Sequence, residues 1–405
     1  MNIKRTGILA SMTLLFLFGL SASVHATNGI INVKDYGAAG DGVTDDTSFI
    51  KKALYYGRNK KVFFPEGTYL VSDTLTVKEY TELFGSNSII KAKSEGLTML
   101  RAYGENINIH DLTIDGNHFV LRGITIMNGS KNVLLHSATF KNFGQPSIKP
   151  HSNSTPIGIR IEGGAEKIML DKLVIQNVFA DNVSSEVGWD HKVARGILVS
   201  PALESQPASK DITIQNSTIS EIGPKDDGDG IVVQGFKTDV GLKIINNTFK
   251  KTHKRAIKIQ SPGAEIKGNH ITNSFKANNF YETYDVSNKY DMWSAISVYA
   301  DQVIVENNVI DGIGSYSAAI DIAGGNSVAV KGNTIANGNE ANYSESDLIR
   351  INKGYDGTYV FKDISIQNNS FMNGRFGVNV VAKVEGLSIA ENSYYNMVNE
   401  INSKY

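Results

Sequence analysis

The run Lys225-Asp226-Asp227-Gly228-Asp229-Gly230 stands directly before the apolar stretch Ile231-Val232-Val233, and His253-Lys254-Arg255 stands before the similar stretch Ala256-Ile257-Lys258-Ile259. Closely spaced carboxylates suit cleavage of a glycosidic bond. One protonates the leaving oxygen and the other activates water, at about 6.5–9.5 Å separation for an inverting reaction. Two carboxylates that crowd each other also separate in pKa, which keeps one of them an acid. Asp227 and Asp229 are therefore candidate catalytic residues, with His253 and Arg255 as partners. A polar turn accounts for the same Asp-Gly letters and stands as the structural alternative.

Positioning these residues requires a repeated frame, and the chain carries one. A small residue followed by an alternating apolar strand recurs as Gly123-Ile124-Thr125-Ile126, Gly158-Ile159-Arg160-Ile161, Gly196-Ile197-Leu198-Val199, Gly230-Ile231-Val232-Val233, Ala256-Ile257-Lys258-Ile259, Ala295-Ile296-Ser297-Val298, Ala319-Ile320-Asp321-Ile322 and Gly377-Val378-Asn379-Val380. Between these lies a second unit, an apolar strand ending in Asn. Its spacing is 22 residues from Asn247 to Asn269, then 39 to Asn308, 25 to Asn333, 36 to Asn369 and 23 to Asn392. Short steps suit one coil of a solenoid, and long steps suit a coil with an inserted loop. Strands this short bury their Ile and Val only when stacked on neighbouring coils. The Asn residues are expected at turns, in left-handed backbone, stacked as ladders. A β-sandwich would not explain why the same two strand types alternate. The first coil needs a cover, and Thr44-Asp45-Asp46-Thr47 predicts a helix over 45–56 that starts at Thr44 and buries Phe49, Ile50, Ala53 and Leu54.

Alternation assigns an outward position to the middle residue of each strand. That column reads Thr125, Arg160, Leu198, Val232, Lys258, Ser297, Asp321 and Arg350. A second column just before the strands reads Arg122, Arg195, Asp229, Arg255, Ser294 and Arg375. Cations outnumber carboxylates in both. Such a groove suits an anionic chain, because the Arg fork matches a carboxylate. Arg160, Arg195, Lys258, Asp321 and Arg350 are the candidate substrate-binding residues. Trp189, Tyr281, Tyr284, Trp293 and Tyr299 could stack on sugar faces.

Composition narrows the function classes. Lys4 and Arg5, an apolar run to about Leu20 and the small residues up to Ala26 read as an export signal over residues 1–26. A chain cleaved there would be secreted or periplasmic, with residues 27–405 forming one domain and no membrane attachment. The sequence has no Cys, so neither disulfides nor thiolate chemistry is available, and its net charge of −1 argues against a nucleic-acid partner.

The stretch from Val33 to Thr47, with Asp35-Tyr36-Gly37, Gly40-Asp41-Gly42 and Asp45-Asp46-Thr47, followed by Phe63-Phe64-Pro65-Glu66-Gly67-Thr68-Tyr69, resembles the opening of the pectate lyase-like superfamily. The motif covers residues 31 to about 75, and the coil repeats extend the likeness to the end of the chain. The resemblance implies an all-β chain, a right-handed parallel β-helix of about ten coils with an N-terminal capping helix, acting on a carbohydrate. Polygalacturonase-type hydrolases of this superfamily place paired Asp residues before one strand and a His before the next. Asp227, Asp229 and His253 resemble those. In strict register, however, the first Asp position is Gly228, Arg255 stands where the His would, and Arg195 and Ser297 replace a further Asp and an Arg. The leading expectation is a hydrolase of an acidic polysaccharide without metal or cofactor. The alternative is a lyase or epimerase, with Arg195, Arg255 and Lys258 as base and clamps and Asp227 and Asp229 as calcium ligands. A non-catalytic carbohydrate-binding solenoid is the third reading. The oligomeric state and the particular polymer are not written in the sequence.

Overall fold

In a computed structural model, the structure describes residues 29–149, 151–184, 191–224, 226–273, 293–312, 318–338, 347–353 and 360–405. The expected signal segment lies outside them. Short parallel strands wind into three faces, each strand pairing with its counterparts one coil before and one coil after. The first face contains Val120–Ile126, Ile157–Ile161, Val193–Val199, Asp227–Val233, Arg255–Ile259, Ser294–Tyr299, Ala318–Gly324 and Asp347–Ile351. The second runs through Lys131–His136, Glu166–Asp171 and Lys210–Gln215, and the third through Thr139–Phe143, Val174–Phe179 and Thr218–Gly223. This is a right-handed parallel β-helix. Inward Ile, Val, Leu and Phe side chains from Val33 to Ala382 form one continuous core that includes Ile231 and Ile257. Among the described residues no helix is long and apolar enough to cross a membrane.

The small residue at the start of each first-face strand sits at a corner. A side chain on Gly196 would meet the Gly230 carbonyl oxygen at 2.5 Å and the core residue Ile219 at 3.0 Å; on Gly230 it would meet the Ala256 carbonyl oxygen at 2.5 Å. The corner residue thus faces inward beside the inward Ile that follows it. The residue before it, Arg195 or Asp229, is sent to the outside, on the same side as Leu198 or Val232.

The Asn ladder forms, with a division of labour that differs from expectation. Asn247, Asn269, Asn308, Asn333, Asn369 and Asn392 stack, each side-chain amide donating to the next Oδ1 at 2.9–3.1 Å. The left-handed backbone belongs instead to the residue before the ladder: Asn246, Gly268, Asn307, Gly332, Asn368 and Glu391. Asn177 belongs to another corner, where it donates to Asn142 at 2.7 Å. The helix also starts later than expected, spanning Thr47–Tyr56 with Asp46 at its N-cap. Thr44 is in the strand Asp41–Asp45, and its hydroxyl bonds Asp41 at 2.8 Å. The Asp46 carboxylate holds the Ala39 and Gly40 amides at 2.7 and 3.0 Å, while Asp45 accepts from the Thr47 amide. Ile50, Ala53 and Leu54 are buried over the first coil as expected.

Candidate functional site

The two outward columns follow the expected register for most of their length. Thr125, Arg160, Leu198, Val232, Lys258, Ser297, Asp321 and Arg350 are paired in succession. In the second column Arg195 pairs with Asp229, Asp229 with Arg255 and Arg255 with Ser294. Arg375 does not continue it. Ile349 pairs with Val378, so Arg375 falls three residues before the inward position rather than two. Asp347, two residues before Ile349, stands in the column and escaped the sequence reading. Its offset from Ile349, the same as that of Asp229 from Ile231, was the signal.

The columns are not an open, solvated groove. Arg195, Asp227, Asp229, Arg255, Lys258, Ser297, Asp321 and Arg350 are all buried. Leu198 and Val232 join Ile157 in a small apolar cluster on the outside of the strands, which separates Arg160 from the charged centre. Arg160 lies half-buried beside Glu162 at 4.0 Å.

Asp227 and Asp229 meet as expected, and two guanidinium groups bind them together. Arg195 Nη2 donates to Asp227 Oδ2 at 2.5 Å, its Nη1 lies 3.2 Å from Asp229 Oδ2 and also bonds the Asp227 carbonyl. Arg255 Nη1 donates to Asp227 Oδ1 at 3.1 Å and to both Asp229 oxygens at 3.0–3.1 Å. Lys254 Nζ donates to the Asp226 carbonyl at 2.5 Å, lies 4.0 Å from Asp227 Oδ1, and stands over the Trp293 ring at 5.2 Å. Lys254 was not singled out from sequence; its place between His253 and Arg255 was the available signal.

These contacts set the proton affinities. Burial alone would raise the Asp227 carboxyl, but Arg195, Arg255, Lys254 and Lys258 overcome it and hold the group well below the usual carboxylate range. Burial pulls Arg255 down, and Asp229 and Asp227 more than offset that. Lys258 is lowered from 10.5 to about 8, chiefly by burial, with Arg255 and Arg195 adding to the effect against Asp229 and Asp227. Lys254 is lowered by burial and by Arg255.

His253 takes another position. It is fully buried, its ring edge-on to Phe179 at 5.2 Å, where a side chain on Gly223 would strike its Nδ1. Register explains this, because Phe179 pairs with Gly223 and Ile222 with Thr252, which makes His253 the next member of that stack. The expected role of His253 in the carboxylate centre is not supported by this placement. Trp189, Tyr281 and Tyr284 lie outside the described residues; Trp293 reaches the centre through Lys254.

Calcium does not fit here. The oxygen atoms of Asp227 and Asp229 that would ligate it are occupied by Arg195 and Arg255, and like charge would exclude the ion. Among the described residues no three His, Cys, Asp or Glu side chains come together as metal ligands.

A family model described as rhamnogalacturonase A/epimerase, pectate lyase-like matches residues 30–313. The chain belongs to this family. Among similar proteins, mannuronan C5-epimerase AlgE3 of Azotobacter vinelandii is 30% identical over 199 residues, which is 40% of this chain and 11% of that protein. AlgE4 of the same organism is 30% identical over 188 residues, 38% of this chain and 34% of AlgE4. The preneck appendage protein of Bacillus phage PZA is 36% identical over 113 residues, 25% of this chain and 13% of that protein. These curated relatives are much longer than the parts matched. The surface adhesin PfbA of Streptococcus pneumoniae superposes with a TM-score of 0.69 at 20% identity, covering 92% of this chain and 91% of that one. The AlgE4 A-module superposes at 0.54 with 18% identity, covering 92% and 97%. Such identities bear on the fold alone.

A second buried charge network closes the other end of the columns. Asp347, fully buried, accepts from Arg350 at 2.9–3.0 Å, Arg375 at 3.0 Å and Asn379 at 2.6 Å. Asp321 pairs in register with Arg350 and accepts from Asn352 at 3.4 Å. The sequence candidates therefore divide. Asp227, Asp229, Arg195, Arg255 and Lys258 form one centre, Arg350 belongs to the Asp347 network three coils further along, Asp321 stands in the column one coil before Arg350, and Arg160 lies on the other side of the apolar cluster.

Proposed function

We propose that this chain acts on a uronate-containing polysaccharide by removing the proton next to the sugar carboxylate, as a lyase or epimerase, with Lys258 as the base. The observation that carries this is the cluster in which Arg195, Lys254 and Arg255 gather on Asp227 and Asp229 with Lys258 on the same strand as Arg255, a setting whose burial and neighbouring cations lower the Lys258 amine to about 8. A fraction of it is free to accept a proton near neutral pH, whereas an ordinary lysine is almost wholly protonated there. Arg195, Lys254, Arg255 and Lys258 also outnumber Asp227 and Asp229. An anionic sugar would balance that excess, and the same excess favours the negative charge that builds up as the proton leaves. The C–H bond breaks, its electrons delocalise into the carboxylate, and the proton passes to Lys258 Nζ. In a lyase the C4–O bond then breaks, the double bond of the unsaturated uronate forms, and the leaving oxygen takes a proton from water; in an epimerase the C4–O bond stays intact and a proton delivered from water to the opposite face of the same carbon yields the epimer.

Hydrolysis by the Asp pair is less well supported. It needs a carboxyl that keeps its proton, and the guanidinium groups hold Asp227 ionised. The epimerase names among the similar proteins favour the proton-abstraction reading. The test is incubation with alginate and with polygalacturonate in deuterated water. Unsaturated ends seen by ultraviolet absorbance, or deuterium at the carbon next to the carboxylate, are expected and should vanish in Lys258→Ala. New reducing ends with neither signal would establish hydrolysis instead.

A further inference from the structure

A cleft of about 630 Å³ lies away from the charged centre, at the corner between the second and third faces. Its lining includes Ser86, Asn87, Asp111, Thr113, Ser137 and Thr139. Local register creates it. Phe84 pairs with His110 and Ser88 with Leu112, so four steps of one coil face two of the next. Gly85, Ser86 and Asn87 thus face Asp111 alone, a surplus of two residues; Ser86 and Asn87 are exposed at the corner, and Asn87 adopts left-handed backbone at φ 49.

Beside this cleft the second face carries an outward ladder of rings. Phe63 lies 5.0 Å from Phe84, Phe84 is 5.5 Å from His110, and His110 is 4.5 Å from His136 with the planes 12° apart. Phe84, His110 and His136 immediately precede the lining residues Gly85, Asp111 and Ser137. The two features also touch, since His110 Nδ1 and Asp111 Oδ2 are 2.7 Å apart. All four rings are half-buried, each leaving part of its surface to solvent.

We propose that this cleft is a second glycan-binding site, selective for neutral sugar units. Its size falls within the range of about 300–1,000 Å³ usual for small-ligand sites. The rings cover one another's faces, so their solvent-side edges take the apolar side of a pyranose, while hydroxyl, amide and carboxylate groups bond the sugar hydroxyls. Burial, together with the neighbouring His110, pushes His136 below the usual histidine range, so the outermost ring is uncharged at neutral pH. The local carboxylates are Asp111, Glu82, which is paired with Lys61 at 3.0 Å and lies 3.4 Å from His110, and Asp171, which is in register with His136 and has Lys172 beside it. Asp111 therefore disfavours a uronate, the opposite of the preference argued for the Lys258 centre. The two sites lie on different faces and call for different sugars.

Affinity electrophoresis of the 405-residue chain in gels containing galactomannan, soluble β-glucan or polygalacturonate tests this. Retardation by a neutral glycan is expected; Asp111→Gly should weaken it by roughly tenfold, the size of one lost charge-assisted hydrogen bond, and His136→Ala should weaken it by a similar factor through loss of a stacking ring. Asp111 already has left-handed backbone at φ 54, which glycine accepts without strain. Asn87→Gly, at an exposed residue whose left-handed backbone glycine also accepts, should weaken retardation as well and guards against a folding defect in the ladder variants. Lys258→Ala should leave the neutral-glycan retardation unchanged while abolishing the product signals above. No retardation by either neutral glycan, or retardation of all three cleft variants equal to that of the unmutated chain, would overturn the proposal.

Discussion

Burial removes water from the Lys258 ammonium while Arg255 and Arg195 repel it, and Asp229 and Asp227 only partly restore the charge. Two consequences follow with definite signs. As a base, Lys258 acts when deprotonated, so kcat/KM should climb with pH and level off above about 8. Lys258→Arg should be inactive at every pH, since guanidinium keeps its proton. For stability, the unfolded lysine titrates near 10.5 and the folded one near 8, so the unfolded chain binds more protons between those values. Stability should therefore rise as pH increases across that window, by on the order of 3 kcal/mol from this group. Denaturant midpoints of wild type and Lys258→Met at the two ends check it: the variant's relative advantage should shrink toward the alkaline end. Asp227, Asp229, Arg195, Arg255 and Lys258 were legible as neighbours because register depends only on the strand pattern. Their burial was not, because it depends on how the chain covers the outside of the strands. Nor was their mutual pairing, which turned an expected acid into a held carboxylate. His253 was misplaced because its motif likeness outweighed its register, which puts it in the Phe179 stack.

At the level of single elements, the repeat told the strands apart from the turns but not the duties of the two residues at each turn. The second residue of the pair carries the ladder. Asn308 donates to Asn333 Oδ1 at 2.9 Å and to the Ile266 carbonyl at 3.0 Å, and its own Oδ1 accepts from Asn269. Asn308→Ala strands the Asn269 backbone N–H and takes a side-chain donor from the Ile266 carbonyl in a buried setting, while the Asn269 side-chain amide keeps its bond to the Ile244 carbonyl. The expected loss is about 1–3 kcal/mol per stranded group. Asn307 carries the turn, at φ 55. Asn307→Gly should change stability by no more than about 0.5 kcal/mol, since glycine accepts that backbone. Urea unfolding of the two adjacent variants separates the roles; equal losses would mean the ladder does not bear weight. The capping helix was legible from its apolar stripe, while its start was displaced because Asp46 is used to tie the Ala39–Gly40 turn and not to cap from Thr44. The small corner residues were seen as a repeat, but the reason for their size, a close approach to the next coil's carbonyl, appears only in the stacked structure.

Across the whole molecule, one core runs the length of the stack, yet each coil touches only its neighbours. Damage to one coil should therefore stay local until it exceeds the coupling between coils. Ile257 lies in the middle, fully buried, paired with Ile231 before it and Ile296 after it. Truncation to Ala removes a branched side chain that the flanking coils cannot both move to replace, and a core Ile→Ala change costs about 2–5 kcal/mol. Hydrogen exchange followed by mass spectrometry locates that cost. Amides of Asp227–Val233, Arg255–Ile259 and Ser294–Tyr299 should exchange faster in Ile257→Ala, and those of Val120–Ile126 should match wild type. The same perturbation passes directly under Asp229, Arg255 and Lys258, which those strands hold in place, whereas the Phe84–His110–His136 ladder is built on earlier coils. The variant should accordingly lose activity on an acidic polymer while keeping its retardation by a neutral one. Faster exchange spread evenly over all coils, together with loss of both bindings, would show that the helix unfolds as one unit and that its two candidate sites are coupled through the core.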